Sequence, residues 1–124
     1  MKKFTQFGAA LMMLIPGILY LFAPQIMLNT PQIHLNTVNE FHSYRAAYGG
    51  GFLGIAALFA MGAFDRSMEK GSLWAIVLIF LGFAVGRIYS IVVDGVPTPL
   101  FLGVLVAETF LASCAMYSLK KNRK

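Results

Sequence analysis

The sequence predicts an all-α membrane protein: a four-transmembrane-helix antiparallel bundle, one domain over residues 1–124, with both termini cytoplasmic. Three observations carry this. Mean hydropathy is +0.71, and 58% of residues are hydrophobic while 12% are charged, about half the share found in soluble domains. Four apolar stretches, at about 7–28, 38–64, 72–93 and 100–119, each come near the roughly 20 residues that a bilayer core demands. Lys2, Lys3, Arg66, Lys70 and the basic tail Lys120, Lys121, Arg123 and Lys124 all fall on one side of a four-span chain. The positive-inside rule makes that side cytoplasmic.

The first stretch follows Met1-Lys2-Lys3 and so resembles a secretory signal. Pro24 directly after Ala23 suits cleavage poorly, so the segment is expected to stay as the first span. Pro16-Gly17 in its middle predicts a kink, because proline removes one helical hydrogen bond. Pro24 should loosen its outer end. Residues 29–36, broken by Pro31, read as a polar external loop. Thr37, followed three residues later by Glu40, has the form of a capping box and opens the second span. At about 40 Å that span exceeds the hydrocarbon core, so its first two turns should stand among the head groups. Val38, His42, Arg45, Gly49, Phe52 and Ala56 share one stripe at helical spacing.

Residues 65–70 read as a short charged turn before the third span. Asp94-Gly95 closes that span, and Pro97 and Pro99 hold the residues before them out of helical geometry in the second external loop. The fourth span then leads to the basic tail, which reads as a topology anchor. Gly50 and Gly54 in the second span, and Gly82 and Gly86 in the third, have the small-xxx-small spacing that lets membrane helices pack backbone to backbone. Gly49, one turn from Arg45, leaves room for a ligand or for another helix.

Charged residues within these spans are the candidate functional residues. A cation at the centre of a membrane helix costs about 2.5–3.5 kcal/mol on insertion scales. Arg87 lies seven residues before Asp94, hence about 10 Å inside the outer boundary. Glu108 lies eight residues after Leu100, hence about 12 Å inside from the same side. The two are at matching depth on consecutive antiparallel helices and are expected to pair. Arg45 is shallower, near the level of Asp94, with His42 one turn above it, and Tyr48 supplies a hydroxyl nearby. Arg45, Arg87, Glu108, Asp94, His42 and Tyr48 therefore form the expected ligand-binding set. Glu108 is the candidate catalytic acid or base. The charges of Arg45 and Arg87 balance those of Asp94 and Glu108, so a purely structural network that fixes helix register is the competing reading.

Other chemistries find no support in the sequence. The single cysteine, Cys114, excludes an intramolecular disulfide and a cysteine metal site, and it reads as a small core hydrophobe. Two histidines, His34 in a loop and His42, make no metal-ligand pattern, so no metal and no cofactor is expected. No basic groove with interleaved aromatics points to nucleic acid. Tyr20, Trp74 and Tyr117 read as interfacial anchors or packing residues.

The runs Tyr44-Arg45-Ala46-Ala47-Tyr48-Gly49-Gly50 and Gly86-Arg87-Ile88-Tyr89-Ser90, with Asp94-Gly95 beyond and Glu108 in the last span, resemble Domain of Unknown Function 4345. That is a family of small four-helix bacterial membrane proteins. The resemblance implies a bacterial inner-membrane location and no activity. The leading expectation is a module binding a lipid-like or amphiphilic small molecule at the outer side, as an accessory subunit, a homo-oligomer or part of a larger membrane complex. A small membrane enzyme using Glu108 on an apolar substrate, and a proton-coupled exporter, stay open beside it.

Overall fold

The computed structural model describes residues 1–123; Lys124, the last residue of the expected basic anchor, lies outside the described residues. The elements are α1 (Lys2–Phe22), α2 (Pro24–Leu28), α3 (Val38–Tyr44), a π-helical segment (Arg45–Gly50), α4 (Gly51–Phe64), α5 (Arg66–Asp94) and α6 (Pro99–Asn122). Among the described residues, four helices are long and apolar enough to cross a membrane: α1, the continuous run Val38–Phe64, α5 and α6. This is a multi-pass membrane protein. Successive spans are antiparallel. At one end the Lys2 ammonium meets the Glu69 carboxylate at 2.9 Å, and Asn122 donates to the same carboxylate at 3.4 Å. That end carries both termini; the opposite end carries the 29–37 and 95–98 connections. Each span packs mainly on its neighbour in sequence, and α1 meets α6 more sparsely.

The start and stop points of the helices follow local chemistry. Instead of running unbroken over 7–28, the first helix starts at Lys2 and stops at Phe22. Ala23 leaves helical geometry at φ −143° and ψ 64°, because the following proline disfavours the α region, and Pro24 opens a new short helix from its N1 position. The early start reflects burial: Thr5 and Gln6 are fully enclosed. The capping box at Thr37 forms as read. The Thr37 hydroxyl accepts from the Glu40 N–H at 3.2 Å, and the Glu40 carboxylate accepts from the Thr37 N–H at 3.0 Å. The charged turn expected over 65–70 shrinks to Asp65 alone. Its carboxylate accepts from the Ser67 N–H at 2.8 Å and the Ser67 hydroxyl at 2.7 Å, capping α5 six residues earlier than expected. Those two bonds, the hydroxyl's first, hold the Asp65 carboxyl below its ordinary range.

Packing is uneven along the bundle. The buried core, including Ala9, Met13, Phe59, Phe80, Ala112 and Ala115, lies in the half nearer the termini. Close helix approach occurs at glycines, but not at the expected pairs. A Cβ on Gly49 would stand 2.9 Å from the Leu21 backbone, one on Gly17 would stand 3.1 Å from Leu53, and one on Gly62 would strike Ser72 and Gln6. Gly54, Gly82 and Gly86 face nothing within 4 Å, and Gly50 only the Arg45 carbonyl of its own helix. Spacing marks which glycines share a face; the rotation of each helix decides whether that face meets protein. The room beside Gly49 is filled by α1.

Candidate functional site

The half of the bundle away from the termini opens into a cleft of about 650 Å³. It lies where α1 and α6, first and last in the chain, stand apart. Met12, Pro16 and Tyr20 form the α1 wall, four residues apart and hence on one face. Phe101, Val104 and Glu108 form the α6 wall at spacings of three and four. Tyr48, Phe52, Phe83 and Arg87 make the back. The break at Ala23 places Ile26, Met27, Thr30 and Pro31 around it as well. The volume lies within the range of small-molecule pockets, and the lining is mostly apolar, as such sites usually are.

Two charged side chains line this cleft, and they are paired. Arg87 Nε donates to Glu108 Oε2 at 3.0 Å, and Nη2 donates to Oε1 at 3.3 Å. The fork uses both carboxylate oxygens, the geometry that makes arginine–carboxylate pairs strong and directional. Glu108 is 1% exposed, while the Arg87 side chain keeps about a third of its surface open. The guanidinium carbon also stands 5.8 Å from the Phe101 ring centre. Arg87 and Phe101 line a second cavity of about 210 Å³ as well, with Ser90, Ile91 and Pro97, so these two side chains separate the two spaces.

Aromatic side chains order the rear wall. Tyr20 and Tyr48 rings are 5.2 Å apart, Tyr44 stacks on Tyr48 at 5.4 Å, and Phe52 meets Tyr20 edge-on at 6.1 Å. The π-helical segment lies within this array. A π turn adds a residue to the helical repeat and rotates what precedes it, and such turns recur at functional sites.

Of the six residues expected to bind a ligand, Arg87, Glu108 and Tyr48 line the cleft; Arg45, His42 and Asp94 do not. Arg45 donates to the Leu21 carbonyl and lies 5.7 Å from the Phe41 ring centre. The cause is the break in the first span. Pro24 ends α1, which strands the carbonyls of its last turn, and the guanidinium caps one of them. His42, one turn before the π segment, is exposed. Asp94 is exposed and accepts from the Ser90 hydroxyl at 2.9 Å. The expected four-charge network therefore contracts to one pair. Replacing Arg45 with methionine should remove a charge-assisted bond and lower stability by about 1.5–3 kcal/mol. Thermal unfolding in detergent measures this, and an unchanged transition would show that the cap is idle.

Sequence reasoning read Tyr20 as an interfacial anchor or packing residue; it does pack against Tyr48 and Phe52, but its place in the cleft wall was missed, as were the wall residues Met12, Phe101 and Val104. The four-residue recurrence of Met12, Pro16 and Tyr20 was the available signal. Among the described residues, no three His, Cys, Asp or Glu side chains gather as metal ligands would.

A family model described as Domain of unknown function (DUF4345) matches residues 1–119. No curated protein and no solved structure matches the chain.

Proposed function

The chain belongs to the family described as Domain of unknown function (DUF4345), and from that premise we propose that it binds a lipid-like or amphiphilic small molecule in the cleft between α1 and α6. One observation carries this reading: a mostly apolar space of about 650 Å³ with a forked Arg87–Glu108 pair in its wall. A core built only for stability would fill that volume with side chains. Intramembrane charges are rare and usually mark functional sites. The basic residues Lys2, Lys3, Lys70, Lys120 and Lys121 cluster at the opposite end, which supports placing the cleft on the external side of an inner membrane.

Binding is favoured over chemistry by the state of Glu108. A general acid or base, or the carboxylate of an exporter, needs an oxygen free to face its substrate. Both Glu108 oxygens are held by one guanidinium. Arg87 and Glu108 orient the polar end of the ligand, Tyr20 and Tyr48 offer it hydroxyls, and Met12, Phe83, Phe101 and Val104 take the apolar part.

The test is extraction of the purified protein followed by mass spectrometry. An amphiphile should accompany the native chain at near-stoichiometric level. Val104→Trp, which fills the cleft from α6, should reduce it at least about tenfold, a loss of about 1.4 kcal/mol in binding. Equal recovery from both proteins, or none from the native chain, would remove the proposal.

A further inference from the structure

The charge state of the cleft says what kind of head group it accepts. Arg87 and Glu108 are the charged residues among its lining, and they cancel. Arg45, the other cation of this half of the bundle, is turned to the Leu21 carbonyl and Phe41. Arg87 commits Nε and Nη2 to Glu108, which leaves Nη1 as a donor, and Tyr20 and Tyr48 line the same cleft. An anionic head would have to share Arg87 with a carboxylate already forked onto it. It would place a second negative charge within a few ångströms of Glu108 in a space walled by methionine, phenylalanine and valine. A cationic head would meet Arg87 in the same way. In such low-dielectric surroundings an unbalanced charge is disfavoured far more than in water.

We infer that the ligand of this cleft is an amphiphile with an uncharged, oxygen-bearing head group, an ester, ketone or hydroxyl, and that the Arg87–Glu108 pair excludes anionic lipids. The inference rests on the cleft being a binding site, and it names the substrate class of that site. The head-group oxygen accepts from Arg87 Nη1 or a tyrosine hydroxyl. Glu108 makes the selection by neutralising the arginine that would otherwise attract phosphate or carboxylate.

The experiment compares one apolar tail with two heads: a long-chain fatty acid, ionised at a pH well above the carboxylate range, and its methyl ester. Binding to the full-length protein in uncharged detergent is read by native mass spectrometry. The ester should bind the native protein at least about tenfold more tightly than the acid. In Glu108→Gln the guanidinium loses its counter-ion, and the preference should reverse by a similar factor. Tighter or equal binding of the acid to the native protein would overturn the inference while leaving the cleft a binding site. Failure of both probes to bind would take the proposed function down with it. The native comparison decides by itself should Glu108→Gln not fold; a folded Glu108→Gln that keeps the ester preference also overturns the role given to the pair.

Discussion

Arg87→Met is expected to destabilise the folded protein by about 3–5 kcal/mol, the range seen when one partner of a buried ion pair is removed. Glu108 is 1% exposed, and both its oxygens depend on the same guanidinium. With Arg87 gone, the carboxylate is left without a donor in an apolar wall. The reverse change, Glu108→Met, should cost less. Arg87 keeps about a third of its side chain open, so its long stem can carry the charge toward a wetter level. The double change Arg87→Met/Glu108→Met should recover most of the loss, because a well-packed apolar pair often matches a buried ion pair in stability. Thermal unfolding in detergent, completed as a double-mutant cycle, gives all three values. A loss below about 1 kcal/mol in Arg87→Met would mean that the pair is solvated and sets nothing. The double variant also separates structure from binding: it should stand nearly as firmly as the native chain and keep the ester-over-acid preference, because an apolar cleft without a cation still disfavours an anionic head.

Gly62→Val should cost at least about 3 kcal/mol, the upper end of the usual overpacking range. Gly62 lies where α4 meets α1 and α5 together, with Ser72 and Gln6 in the space any side chain would need. Ser72 and Gln6 are fully enclosed, so neither can swing out. The Ser72 hydroxyl is further held by the Phe59 carbonyl at 3.0 Å. A branched side chain therefore has to part the helices in the most closely packed half of the bundle. Gly54→Ala and Gly82→Ala are the matched controls. Neither glycine faces anything within 4 Å, so each change should be neutral or stabilising by up to about 1 kcal/mol through helix propensity. Destabilisation of the controls to the same degree would mean that these faces are covered in an assembly. A tolerated Gly62→Val would mean that α4 does not approach α1 as described.

Several features could be read from residues alone because they depend only on distance along the chain. Hydropathy and length mark four spans. Thr37 and Glu40 mark the start of the second. Rise per residue puts Arg87 and Glu108 at one depth, and consecutive antiparallel helices bring equal depths together. The same arithmetic gave Arg45, His42 and Asp94 plausible depths, yet these residues do not line the cleft. Depth does not fix azimuth, and the π segment at Arg45–Gly50 changes the azimuth of everything before it in that span.

Sequence by itself determined the class of the molecule, its four crossings and its central ion pair, since periodicity, capping and axial rise are local properties of a helix. Tertiary structure alone decided that Gly17, Gly49 and Gly62 are the points of contact, that Arg45 caps α1, and that a cleft opens between α1 and α6. The physical reason is that helix rotation and the separation of spans far apart in the chain are set by how all side chains pack at once. A repeat along one segment holds no record of that.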